Sequence, residues 1–197
     1  AYGLPVVRGT MTETESEAVA AAGNIGFPVA VKACSWEIMH KTGKGLIALN
    51  IQTEESLINA FRDIRKASRP DMPILIQEMA KGSRELVAGM TRFPGFGPCV
   101  LFGIGGVFME AVKDTVFRSA PLSVAEAEEM IFDIRSRSIL GKFRGMPSVD
   151  VASLINILQG IGHIAMLHPN IAEIDLNPII IVGSKPLIAD ALFVLRA

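Results

Sequence analysis

Four oxygen-bearing side chains interrupt an otherwise branched, apolar stretch, AEIDLNPIIIVGSKPLIADALFVL (172–195): Glu173, Asp175, Asn177 and Asp190. On an extended strand alternate residues share a face, so Glu173, Asp175 and Asn177 point one way while Ile174 and Leu176 point into a core. Pro178 is expected to end that strand, and the turn Gly183-Ser184-Lys185-Pro186 brings Asp190 back beside it on a neighbouring strand. Carboxylates and an amide converging on one sheet face are hard oxygen ligands of the kind Mg²⁺ takes. A solvated, merely acidic face is the alternative that spacing leaves open.

Lys32 interrupts the apolar run VAVKA, where a compact ammonium on a rigid strand makes a point-charge partner for a phosphate. A strand with one wet face would carry a lysine there as well. FGIGGVFME sets Gly103, Gly105 and Gly106 between strand-like runs. Such glycines let amides approach phosphate oxygens. Neither the Gly-Lys-Ser/Thr of a Walker loop nor the helix of the dinucleotide fingerprint follows, so a plain hairpin turn fits equally. His40 lies in a polar glycine loop beside Lys41 and Lys44, placed either to meet an anionic group or simply at the surface. His163 and His168, in a helix and at its end, have no matched ligand and read as structural or exposed. No Gly-x-Ser-x-Gly elbow occurs, and neither Cys34 nor Cys99 has a histidine nearby, so nucleophilic hydrolase chemistry has little support.

The elements that must hold these residues are legible in outline. Thr14-x-x-Glu17 is a capping-box spacing that predicts a helix from about Glu15 to Ala22, with Gly23 and Gly26 as stop signals. Strands are expected at Pro28–Cys34 and Gly45–Ile51 on either side of the glycine loop. A helix then opens at Thr53 with Leu57, Ile58, Phe61 and Ile64 on one face. From Pro73 the chain turns to strands: Pro73–Met79, Glu85–Thr91, Pro98–Ile104 and Val107–Val112. Ser123-x-x-Glu126 opens a helix to about Ile134, a longer one runs from about Val149 to Leu167, and the 172–195 stretch supplies the last two strands. This irregular alternation, with hairpins in it, predicts an α+β fold rather than a doubly wound parallel sheet.

Composition narrows the classes. Of 197 residues, 50% are apolar and 20% charged, which is a folded protein rather than a disordered one. A mean hydropathy of +0.40 points to a large core or a surface that packs on another chain or domain. The net charge of −1, with no long block of one sign, argues against a broad nucleic-acid footprint. The two cysteines form no metal-type spacing, which reads as a reducing cytoplasm; no apolar run reaches the ~20 residues that span a bilayer. The opening AYGLPV reads as a helix end and the turn after it, as in a piece of a longer protein.

Taken in order, YGLPV, IGFPVAVKA, HKTGKG, IQEMAKGSREL, FGPCVLFGIGGVFMEAVKD, FRSAPL, GKFRG and EIDLNPI resemble the ATP-grasp domain of NDP-forming acyl-CoA synthetases, of the ADP-forming acetate–CoA ligase type. The resemblance covers nearly the whole chain. It implies two α+β lobes, a smaller one over 1–72 and a larger one over 73–197, with a nucleotide cleft between them. It implies ATP or ADP as substrate with Mg²⁺, a CoA-binding ligase subunit or domain as partner, and a phosphohistidine relay. By position, Lys32 matches the lysine on the nucleotide phosphates. Glu78 and Met79 match the hinge where backbone groups read adenine, and Glu85 the acid on the ribose hydroxyls. Asn177 and Asp190, with Asp175 close by, match the Mg²⁺ ligands, and His40 the histidine that carries the phosphoryl group to ADP. The chain departs from the family pattern at Thr42-Gly43-Lys44-Gly45-Leu46, which lacks an aspartate and a second glycine, and at Phe93, where the family has aspartate. A second reading is the ATP-grasp-like regulatory module of a protein lysine acetyltransferase, which loss of the metal asparagine would favour; the chain keeps Asn177.

Overall fold

The computed structural model describes residues 2–34, 45–106 and 113–196, which divide into two compact units: 7–79, and 2–6 together with 80–196. The smaller unit begins with β1 (Gly9–Thr12) and α1 (Glu15–Ile25), whose capping box at Thr14 and Glu17 is formed as the spacing predicts. The helix runs through Gly23 and stops at Gly26. β2 (Val29–Ala33), β3 (Ile47–Ile51), α2 (Glu54–Ala67) and β4 (Ile74–Glu78) complete it. The strands form one antiparallel sheet in the order β1-β4-β2-β3. Leu57, Phe61 and Ile64 of α2 recur at helical spacing and share a buried core with Val29, Val31, Ile74 and Ile76.

β4 corrects the expected boundary. Residues 73–79 belong with the smaller unit rather than the larger, because β4 pairs with both β1 and β2. Strand pairing is non-local, and the prolines at 70 and 73 mark a turn, not a change of unit.

The larger unit is built on a six-stranded antiparallel sheet: β5 (Glu85–Phe93), β6 (Gly97–Ile104), β7 (Thr115–Ser119), β8 (Ile171–Val182), β9 (Lys185–Ile188) and β10 (Leu192–Leu195). The order is β10-β8-β5-β6-β7, with β9 also on β8. Helices α3 (Val124–Asp133), with its capping box at Ser123 and Glu126, and α4 (Val151–Leu167) pack on one face. Leu86, Ala88, Met90, Val100 and Phe102 meet Met130, Ile131, Leu158 and Ile161 there. The expected strand over 107–112 lies outside the described residues. The 172–195 stretch supplies most of three strands rather than two, and β1 and β7 add two short strands that local patterning does not announce.

Pro178 does not end β8. The strand continues to Val182 because the β5–β8 ladder takes a bulge: Leu86 pairs with Ile179 but Ala88 with Leu176, so Val87 stands opposite both Asn177 and Pro178. A bulge is where a sheet tolerates a residue with no amide hydrogen. The extra residue also resets the alternation. Ile174 and Leu176 are buried before it, Ile179 and Ile181 after it.

Residues 2–6 are tied to the larger unit. Pro5 accepts from the amide of Ile188 at 2.8 Å, Val6 bridges Ile188, and a 2.6 Å hydrogen bond joins Tyr2 Oη to His168 Nε2. Three buried or half-buried charges hold loops in this unit. Arg84, 3% exposed, donates to the carbonyls of Ile139, Gly141, Pro147 and Gly183. Arg92 donates to the carbonyls of Ile171, Ala165 and His168 at the end of α4, where a cation also suits the helix dipole. Asp114 accepts from the amides of Arg135 and Ser136. Burial pushes its carboxyl up, but the Ser136 side chain and those two amides outweigh it and hold it below the usual range.

A carboxyl depressed in the folded state lends stability above its unfolded pKa, ~3.8, and loses it as pH falls through the lower folded value. Asp114→Asn is therefore expected to flatten the acid limb of the stability–pH curve, measured by urea unfolding from pH 7 down to pH 2. Arg84→Met strips donors from four carbonyls and should cost about 3 kcal/mol. An unchanged urea midpoint would show that Arg84 is not what holds these loops.

Candidate functional site

The face of β8 turned away from the helices carries the oxygen donors. Asp175 and Asn177 are half-buried there and Glu173 is exposed, while Ile174 and Leu176 face the core. Asp190 arrives through the sheet edge. β9 and β10 both run along β8, with Ile188 opposite Ile179 and Leu192 opposite Asp175, and the amide of Ala189 donates to Pro178 O at 3.0 Å. Asp190 thus falls in the break between the two strands, beside Asn177. Electrostatics record the same proximity: burial raises the Asp175 carboxyl above its ordinary value, and the negative charges of Glu173 and Asp190 raise it further.

These groups fit a hard cation. The donors are all oxygens, and a half-buried carboxylate repelled by two acids is stabilised by positive charge. Among the described residues no three of His, Cys, Asp and Glu gather as a metal group. Mg²⁺ is commonly held by one or two carboxylates plus substrate phosphates rather than by an all-protein cage. Asp175, Asp190 and Asn177 are the residues that would hold it.

Beside them the sheet is concave. One cross-strand row reads Asp175, Gly89, Leu101, Phe117 over β8, β5, β6 and β7. Gly89 contributes no side chain, and a Cβ there would collide with Ile174 O, so only glycine fits. The result is a pocket of about 300 Å³, walled by Phe93 and Phe117 with ring centroids 6.1 Å apart.

Glu85 opens β5 on the same unit. Its carbonyl accepts from the amide of Gly105 at 2.9 Å, and its carboxylate lies against Gly106, φ +71°, where a Cβ would strike it. The glycine pair expected as a phosphate loop or a plain turn is seated on this acid. The sequence shows no such link, because the two segments are some 20 residues apart.

Lys32, Glu78 and Met79 belong to the smaller unit. Lys32 is 5% exposed and all of β2 is buried, so the wet-face alternative does not hold. Glu78 donates its amide to Arg8 O at 2.8 Å and Met79 donates to Pro28 O at 3.3 Å, so both amides are engaged within the unit. The hydrogen bond from Arg8 Nε, 2.9 Å from Glu78 Oε2, holds that carboxyl below the usual range. His40 lies outside the described residues. His163 is exposed and His168 caps α4, as the sequence implies. Sequence reasoning missed Arg84, Arg92 and Asp114; for Arg92 the signal was a cation inside a strand pattern.

A family model described as the ATP-grasp domain matches residues 1–195. The chain belongs to the ATP-grasp family. Within it, the chain is 38% identical over 200 residues to the beta subunit of acetate–CoA ligase [ADP-forming] I of Pyrococcus furiosus, covering 98% of this chain and 86% of that protein. It is 35% identical to the 4-hydroxybutyrate–CoA ligase [ADP-forming] of Nitrosopumilus maritimus, covering 92% of this chain but 27% of that much longer protein. Relatives are thus beta subunits or parts of larger ligases. Among solved structures, the dinucleotide-forming acetyl-coenzyme A synthetase 1 of Ca. Korarchaeum cryptofilum, with coenzyme A and Ca-AMPCP, superposes at a TM-score of 0.92 and 39% identity, over 99% of this chain and 88% of that one. A second complex of the same synthetase, with Mg-AMPPCP and its phosphohistidine segment pointing towards the nucleotide binding site, gives 0.85 and 40% over 99% and 87%. The ATP-grasp fold and the α+β class are as the motifs imply.

Asn177→Ala and Asp190→Ala each remove one oxygen donor and no buried core volume. Calorimetry of this ATP-grasp domain with Mg-ATP is expected to show affinity down at least about tenfold in each, at an unchanged melting temperature. Binding equal to the parent's in both would leave β8 with an acidic face and no metal role.

Proposed function

We propose that the chain is the nucleotide-binding, phosphoryl-transferring component of an ADP-forming acyl-CoA synthetase. The overall reaction is acyl-CoA + ADP + phosphate ⇌ acid + CoA + ATP. What carries the reading is the gathering of Asp175, Asn177 and Asp190 where the β8 bulge meets the break between β9 and β10, in a chain that covers 86% of a ligase beta subunit. The acyl chemistry belongs to a CoA-binding partner subunit or to further domains of the same protein, and the chain alone does not run the full reaction.

In this reading His40 accepts the phosphoryl group at a ring nitrogen from a phosphohistidine of the partner. The P–N bond to the partner breaks as the P–N bond to His40 forms. A β-phosphate oxygen of ADP then takes the group, and His40 is released as free imidazole. A neutral imidazole can serve as acceptor near pH 7 because its ordinary pKa is about 6.5. Lys32 supplies a point charge to phosphate, Glu85 accepts from ribose hydroxyls, and Glu78 and Met79 border the base. Mg²⁺ held by Asp175, Asn177 and Asp190 would neutralise phosphate charge, which transfer of this kind requires.

Nucleotide binding is tested by calorimetry with ADP and with ATP, each with and without Mg²⁺. A micromolar-range nucleotide site that appears only when Mg²⁺ is added supports the proposal, and the absence of any Mg²⁺-dependent site for either nucleotide refutes it. The carrier role has its own test. Incubation with ATP labelled at the γ-phosphate should leave acid-labile, base-stable label on the parent and none on His40→Ala, while nucleotide affinity stays nearly unchanged. Equal labelling of both would make His40 an ordinary loop residue.

A further inference from the structure

Two clefts of the larger unit, of about 420 and 480 Å³, lie on either side of a wall formed by Met146 and Pro147. Among the described residues four cations line them, Lys81, Arg84, Lys142 and Arg144, and no acid does. The pocket beside β8 has the opposite character, with Glu173 and Asp175 in its lining. In a chain of net charge −1, four cations without a lining acid are a local excess. Lys81, Lys142 and Arg144 pair with no carboxylate among the described residues. Among the described residues Arg84, which also lines the larger cleft, is met by carbonyl oxygens and by no carboxylate.

The segment carrying Lys142 and Arg144 is held in one pose. Phe143 and Met146 exchange amide-to-carbonyl hydrogen bonds of 3.2 and 2.9 Å, closing a tight turn over Arg144 and Gly145. Arg144 itself sits at φ +46°, a conformation rarely adopted by a residue with a side chain. Arg84 grips both ends of the turn through the carbonyls of Ile139, Gly141 and Pro147. What this rigid turn presents is an aromatic ring, 53% exposed, with the Arg144 guanidinium 5.3 Å from its centroid. Cations for phosphate and a fixed ring beside a guanidinium for stacking are the two parts a nucleotide needs. Each cleft is within the size range of small-ligand sites.

We propose that this basic double cleft binds a phosphate-bearing purine nucleotide moiety without a metal, at a site separate from the β8 face. Lys81, Lys142 and Arg144 hold the phosphates and Phe143 stacks on the base. The moiety comes either from free ADP or from the 3′-phosphorylated adenosine diphosphate end of coenzyme A.

The test is calorimetry of the 197-residue chain in EDTA, with coenzyme A, adenosine 3′,5′-bisphosphate and ADP as probes. One salt-sensitive site is expected, weakened at least about tenfold when Lys81→Gln, Lys142→Gln and Arg144→Gln are combined. Phe143→Ala should weaken it several-fold, whereas Asn177→Ala leaves it unchanged. Tighter binding of coenzyme A and the bisphosphate than of ADP identifies coenzyme A as the source; the reverse order identifies free nucleotide. No metal-free binding by the parent, binding unmoved by the triple change, or loss of binding in Asn177→Ala would each overturn the proposal. The all-exposed triple variant should bind Mg-ATP like the parent, which shows that it is folded. Failure of the parent to bind Mg-ATP would sink the synthetase reading and leave this one standing.

Discussion

A strand of period two can bury only one set of alternate residues, yet β8 must bury Ile174 and Leu176 and then Ile179 and Ile181. Odd and even positions cannot share a face on a regular strand. The extra residue at Asn177–Pro178 resolves the conflict, and much of the larger unit follows from it. Without the bulge, the isoleucines after Pro178 would turn to the open face. With it, the core stays apolar along the whole strand while Asp175 and Asn177 stay outside. The neighbouring edge breaks at the same level, between β9 and β10, and that break delivers Asp190. Core packing and donor placement therefore rest on two irregularities at one level of the sheet, the bulge and the edge break.

The larger unit satisfies its irregular backbone with charge. Among the described residues Arg84 and Arg92 each give a guanidinium to carbonyls, and Asp114 gives a carboxylate to amides. A guanidinium spreads several donors over a plane and reaches loops that no ladder can serve. Using cations this way leaves their charge uncancelled by acids. The basic clefts around Met146 and the acidic face of β8 are two ends of that uneven distribution.

Features fixed by a few adjacent residues were legible in the sequence. The capping boxes at Thr14 and Ser123 form as their spacing implies, and the strands at 29–33, 74–78 and 85–93 appear where branched residues cluster. What escaped was set by partners distant in sequence. The membership of β4 depends on its pairing with β1 and β2, and the passage of β8 through Pro178 depends on Val87 across the ladder. Burial of Lys32 likewise follows from packing around β2, not from VAVKA itself. The donors Asp175, Asn177 and Asp190 were visible as chemistry, but only the edge break explains why residues 13 apart stand together.

Residues 2–6 give the chain a topology that its linear order conceals. Because Pro5 and Val6 are stitched to Ile188, the larger unit holds the chain both before residue 7 and after residue 79. The smaller unit is thus a guest inserted into a host, anchored at both ends. Trimming the first six residues would remove no strand or helix of the guest. It would instead expose the edge of the host sheet at β9, which carries the neighbouring run to Asp190.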